Sequence, residues 1–358
     1  MNIILIAVLN CLITGAASSW HGQEILMDTT VVQKRVTITG VGDIMLGTAF
    51  PSAMYLPPHD NPLLLLGDLA DTLAQSDITF GNLEGSFLDN GEPAKKCRDT
   101  TICYLFRMPE RYAGTLSSAG FDFLSLANNH FGDFGYPSRK RTMELLDSFD
   151  IRYGGLLEYP FSFLERDSLL YGFCAFAPNA GTVSITSMPE AEAIVRKLAD
   201  TCDMVIVSFH GGAEGADYQH VTRDYEMYHT ENRGNVFDFA HRMIDAGADV
   251  IFGHGPHITR AVEVYKERFI AYSLGNFCTY GRFNLSGPNG IAPLIRLNVN
   301  TAGKFLSGRI IPVYQSYSSG GVRIDPAKRV IQKIRDLTAA DFPDAVITIN
   351  ENGEISYK

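Results

Sequence analysis

The sequence contains no Cys-x-x-Cys pair, no extended block of Lys and Arg, no phosphate-cradling Gly-rich motif and no internal repeat. Each absence narrows the field. Six cysteines stand at 11, 97, 103, 174, 202 and 278, a spacing that argues against a thiolate zinc site. Lys and Arg number 30 against 40 Asp and Glu, a formal net charge of −10. The electrostatic footprint of a nucleic-acid binder is therefore missing. An acidic surface also repels polyanions unless metal ions or a local basic patch intervene. Without the Gly-rich motif a nucleotide-binding fold is not expected.

Long apolar runs are scarce too. The N-terminal run over 3–13 is broken by Asn10 and Cys11 and is too short for a comfortable membrane-spanning helix of ~20 residues. Small residues follow at 15–19, so 1–19 reads as a signal peptide lacking a basic n-region; a buried apolar terminus is the alternative. Cys97 and Cys103 lie in a polar stretch, where a small disulfide loop and a pair of free thiols both fit. Cys174, Cys202 and Cys278 sit in or beside apolar runs and read as small core residues.

What is present is a core-forming chain, 46% hydrophobic, with strand and helix patterns in alternation. Strands are predicted over 36–41, 77–80, 121–126, 151–153, 168–177, 203–209, 249–252 and 269–274. Helices are predicted over 63–74, 109–119, 138–149, 189–200 and 236–246. This order predicts an α/β architecture. Beyond 291 come strand-like stretches at 294–299 and 309–314, a helix-like 327–337 and a strand at 345–349. The division expected is a domain over 36–315 with an extension, 316–358, packed on it.

Metal-competent side chains recur just after the strands: Asp43, Glu84, Asn129, His130, His210, His254 and His257. Ligands bind beyond the carboxyl ends of strands in open α/β sheets. Taken singly, each residue has a bland reading as a turn former, a cap or a strand-end histidine. Taken together, carboxylates, an amide and imidazoles suit Zn, Mn or Fe. Around them, Asp133 could orient His130 or cap a helix. Glu214 could orient an imidazole or be a loop charge. Arg233 and Arg282 could hold a carboxylate or phosphate or be solvated. His220, His229 and His241 are assigned to surface or core.

Five segments carry a resemblance: Gly42-Asp43-Ile44-Met45-Leu46-Gly47, Gly81-Asn82-Leu83-Glu84, Ala127-Asn128-Asn129-His130 with Asp133, Gly253-His254-Gly255-Pro256-His257, and Ser273-Leu274-Gly275-Asn276-Phe277. In this order they resemble the motifs of the CapA family of poly-gamma-glutamate capsule-synthesis proteins, which is similar to the calcineurin-like metallophosphoesterases. The resemblance runs from 36 to 280. It implies a four-layer αββα sandwich with two divalent metal ions at one edge of the sheets. Asp43, Glu84, Asn129, His210, His254 and His257 would be the ligands. His130 would be the catalytic acid, and Asn82 falls in the second motif. Apart from the resemblance, Asp133 is expected beside His130, and Asn82, Glu214, Arg233 and Arg282 are the residues expected to face substrate. Two positions depart from the pattern. Met45 stands where phosphoesterases have a His, and Gly255 stands where the family commonly reads His.

Two functions follow from the resemblance. One is an exported, periplasmic or envelope-associated hydrolase that cleaves a phosphoester or amide bond of an envelope component or anionic polymer. The other is a non-catalytic, polymer-binding or export component working with capsule synthesis proteins. Neither involves nucleic acid.

Overall fold

Backbone hydrogen bonding in the computed structural model, which describes residues 34–96 and 103–358, builds two large sheets. The first is ordered Ile347–Ile349, Glu354–Tyr357, Phe305–Tyr314, Ile291–Asn300, Arg35–Met45, Ile78–Leu83, Phe123–Ser125 and Arg152–Gly154. Asn276–Thr279 joins it as a parallel partner of the distal half of Arg35–Met45. The second is ordered Val262–Tyr265, Arg268–Ala271, Val250–His254, Met204–His210, Leu169–Phe176 and Phe161–Arg166.

Three apolar clusters define the layers. Between the sheets lie Ile38, Phe80 and Phe123 from the first and Phe173, Ile206 and Phe252 from the second. The Phe80 and Phe252 rings stack across the interface with centroids 5.3 Å apart. Each such buried side chain contributes about 1.5–3 kcal/mol by leaving water. On the outer face of the first sheet, Leu73, Leu116 and Leu146 from helices meet Ile44 and Leu124. On the outer face of the second, Val195 and Phe239 from helices Met188–Ala199 and Val236–Asp245 meet Val207 and Ile251. The fold is thus a four-layer αββα sandwich, as expected from the sequence.

Several elements differ from expectation for local reasons. The helix over 63–74 is two short helices, Leu63–Leu66 and Leu69–Leu73, parted at Gly67 with φ +52°. The first strand does not stop at Gly42-Asp43 but continues to Met45. Strands Phe161–Arg166, Val262–Tyr265, Asn276–Thr279 and Glu354–Tyr357 have no counterpart among the predicted elements. The last of them pairs with Phe305–Tyr314, so the C-terminal residues extend the first sheet. The predicted signal peptide and Cys97 lie outside the described residues. Cys103 is disulfide-bonded, whereas Cys174, Cys202 and Cys278 are free. Among the described residues no helix is long and apolar enough to cross a membrane.

Candidate metal centre

Strand register brings the polar residues to one level. In the first sheet, Asp43 is paired with Asn82 on one side and Asn276 on the other. In the second, His254 is paired with His210. The first strand breaks register beside Asp43, where Asp43 N donates to Gly275 O at 2.9 Å. Gly42 permits this crossing: a Cβ there would stand 1.9 Å from Gly275 O.

The carboxylates are buried and linked. Asn82 Nδ2 donates to Asp43 Oδ1 at 2.8 Å and to Glu84 Oε2 at 2.6 Å. His257 Nδ1 lies 2.8 Å from Asp43 Oδ2. His254 Nδ1 lies 3.3 Å from Asp43 Oδ1, and His210 Nδ1 lies 3.6 Å from Glu84 Oε2. Asn128 ties the next loop to this group. Its Nδ2 donates to Asn82 Oδ1 and Leu83 O, and its Oδ1 accepts from the His130 and Phe131 amides. Asn129 follows with a buried Oδ1 that has no partner. His130 Nδ1 lies 2.8 Å from Asp133 Oδ2; a carboxylate accepts, so Nδ1 carries the proton. The His130 ring also rests on Phe106, with centroids 4.3 Å apart.

Two cavities open on these residues. One of 820 Å³ is lined in part by Asn129, His130, Glu214, Tyr228 and Arg233. The other, of 260 Å³, is lined in part by Asn129, His130, Glu214, His257 and Arg282.

Three expectations are corrected. Asn82 cannot face substrate, because it is fully buried and its amide is spent on two carboxylates. Arg233 is not solvated. It is 1% exposed and is held by Glu214 at 3.2 Å and Glu231 at 2.9 Å. Glu214 accordingly binds a guanidinium rather than orienting an imidazole. His229 lines the larger cavity. Arg282 lies over the Tyr55 and Tyr104 rings at 5.6 and 5.0 Å. His220 and His241 bond Asp341 and Glu263. Met45 sits with Ile44 and Leu46 in the apolar outer cluster.

Sequence reasoning missed Asn128 and Asn276. An Asn-Asn pair reads as a turn, and Asn276 stands out only as part of a motif. A signal was available: both lie in segments that end a predicted strand.

Electrostatics separate the titrating groups. Burial raises the Asp43 carboxyl, but the adjacent His254 and His257 imidazoles outweigh it and hold Asp43 well below the usual range. Burial, reinforced by the Asp43 charge, pushes Glu84 up to about 8. Burial works against His257, yet the bond to Asp43 lifts it to about 9. Burial and then the Arg233 charge drive His210 well down, which favours the neutral, ligating imidazole.

These shifts give the metal-free protein a pH signature. His257, raised from 6.5 to about 9, contributes stability that is full below 6.5 and is lost as pH rises through 9. Glu84, raised from 4.5 to about 8, is favoured protonated, so its contribution also fades as pH rises through 8. Asp43 acts oppositely and only in acid, where its contribution is lost below the usual carboxylate range. The melting temperature of chelator-treated protein should therefore fall between pH 6.5 and 9. A profile in scanning fluorimetry that is flat or rising over that window contradicts the pairing.

Among the described residues no three His, Cys, Asp or Glu side chains already form a closed metal-binding group. The residues nevertheless fit divalent metal. Glu84 Oε1, Asn129 Oδ1 and both ring nitrogens of His210 and His254 are buried without hydrogen-bond partners. Leaving such atoms unsatisfied costs about 1–3 kcal/mol each. A cation ligated by oxygen and imidazole removes that cost and matches the donor chemistry.

A protein-family model described as "Bacterial capsule synthesis protein PGA_cap" matches residues 37–161 and 174–280. Among curated proteins, "Capsule biosynthesis protein CapA" of Bacillus anthracis is 28% identical over 274 residues, covering 68% of this chain and 60% of that protein. "PGA biosynthesis protein CapA" of Bacillus subtilis (strain 168) is 28% identical over 256 residues, covering 66% and 61%. The chain thus spans less than two thirds of the length of either relative. Among solved structures, the 5'-nucleotidase precursor from Thermus thermophilus aligns over 86% of this chain and 59% of that one, with TM-score 0.45 and 11% identity.

Proposed function

The chain belongs to the PGA_cap family of bacterial capsule synthesis proteins, and from that premise we propose that it is an exported, metal-dependent hydrolase acting on an envelope component or anionic polymer. The bond cleaved is a phosphoester or an amide. The observation that carries this reading is the meeting of linked buried carboxylates, unpartnered imidazoles and an Asp133-bonded His130 beside two cavities. Structural neutrality is a poor explanation for so many unsatisfied polar atoms in one place.

Asp43, Glu84, Asn129, His210, His254 and His257 are the side chains available to hold divalent metal, with Mn, Zn or Fe suited to the donor set. Bound metal would supply Lewis acidity and a water acidified to near neutrality. The protein's own residues do the rest. Asn82 keeps Asp43 and Glu84 in place. Asp133 holds His130 at Nδ1, so proton exchange with the leaving group falls to Nε2. Imidazole suits that task because one ring nitrogen can be anchored while the other exchanges the proton. Arg233 is neutralised by Glu214 and Glu231, whereas Arg282, over two tyrosine rings, places positive charge along the smaller cavity. That charge offsets the net acidity of the chain toward an anionic substrate. Partners would be other capsule synthesis proteins.

The test is a substrate panel of aryl phosphomonoesters, phosphodiesters and glutamyl amides, with Mn²⁺, Zn²⁺ or Fe²⁺ added. Turnover of one class is expected, with His130→Gln lowering it by roughly 10²–10⁴-fold. No turnover with any metal would leave the non-catalytic, polymer-binding role as the surviving reading.

A further inference from the structure

The family resemblance implies two metal ions, and the hydrogen-bond pattern divides the six candidate ligands unevenly. His210 and His254 have no hydrogen-bond partner at either ring nitrogen, and Glu84 Oε1 and Asn129 Oδ1 have none. His257 differs. Its Nδ1 makes a short contact of 2.8 Å to Asp43 Oδ2, and Asn289 Nδ2 donates to its backbone oxygen at 3.1 Å. It also stands in the left-handed region with φ +57°, which a β-carbon-bearing residue occupies only where the surroundings demand it.

The longer contacts carry separate information. His254 Nδ1 to Asp43 Oδ1 is 3.3 Å and His210 Nδ1 to Glu84 Oε2 is 3.6 Å, and neither nitrogen makes a hydrogen bond. Two atoms each ~2.1 Å from one metal at a tetrahedral angle stand ~3.4 Å apart. These separations therefore suit co-ligands of a common cation better than hydrogen-bonded pairs. Asn82 joins the two carboxylate oxygens concerned, Asp43 Oδ1 and Glu84 Oε2, through one amide nitrogen. The four atoms accordingly face one region. A second ion would need further ligands near Asp43 and His257. Met45, the position where phosphoesterases supply one, is buried in the apolar outer cluster.

We propose that this chain holds a single metal ion through Asp43, Glu84, His210 and His254 with Asn129, and that His257 is a positioning residue that orients Asp43 rather than a ligand. A carboxylate that ligates through one oxygen and accepts a hydrogen bond from an imidazole through the other is held in one orientation. The inference rests on the metal-dependent reading above and refines it.

The experiment is metal stoichiometry by elemental analysis after equilibration with Mn²⁺ or Zn²⁺ and gel filtration, with circular dichroism as a control for folding. Wild-type protein should carry one equivalent. His210→Gln and His254→Gln should carry none. His257→Gln should keep one equivalent, with affinity lowered about 10–100-fold in a titration, as for other residues that support a ligand. Two equivalents in the wild type overturn the proposal and leave the hydrolase reading standing. So does a His257→Gln variant as empty as His254→Gln while still folded. Absence of any bound metal in folded wild-type protein overturns both.

Discussion

Asp43→Asn should leave a folded protein whose hydrolysis is lowered by about three orders of magnitude, equivalent to roughly 4 kcal/mol of transition-state stabilisation. The substitution is nearly isosteric, so the site is not hollowed out. An amide oxygen can still accept from Asn82 Nδ2, which lies 2.8 Å from Asp43 Oδ1. What disappears is the negative charge. Asp43 is fully buried between Asn82 and two imidazoles, and water cannot replace that charge in such a place. The loss should show in kcat/KM and in metal affinity together. A second signature is independent of turnover. The Asp43 charge lifts both Glu84 and His257, so the variant's decline in thermal stability between pH 6.5 and 9 should flatten. Activity within tenfold of wild type would remove Asp43 from the centre.

Gly255→His, which restores the residue common in the family, should destabilise the protein by about 3 kcal/mol or more and add no metal ligand. Gly255 has φ +115°, and a Cβ built on it would lie 2.7 Å from Gly211 O and 2.8 Å from Gly211 N. Both atoms are backbone, and Gly211 N is itself engaged with His254 O at 2.8 Å. Neither can yield without pulling the strand that carries His210 away from the strand that carries His254. Strain in a forbidden backbone region and a steric clash add together here. Equilibrium denaturation of the two proteins measures the difference directly. An unchanged midpoint would mean that the loop can adopt another path.

The same loop shows how far the sequence could be read. The residues at strand ends were legible because α/β sheets direct function to that edge, and Asp43, His210 and His254 are indeed adjacent in register or contact. Other features depend on pairings that no local pattern announces. Strand Asn276–Thr279 is four residues long and fully buried, and it is fixed by its neighbour rather than by its own periodicity. Asn82 reads as a substrate contact, but strand register turns its amide onto two carboxylates. Arg233 reads as a surface residue because Arg ordinarily is one; its burial depends on Glu214 and Glu231, which neighbour it in space. The departure at Met45 was visible, while its burial among Ile44 and Leu46 was not.

The contact between His257 and Asp43 joins positions 214 residues apart. Each sheet supplies only part of the centre, the carboxylates from the early half of the chain and the imidazoles from the late half. A nascent polypeptide thus owns no complete set of these donors until His254 has emerged and both sheets have closed face to face. Capture of an ion by the proposed centre would therefore have to wait for strands at both ends of this span to come together.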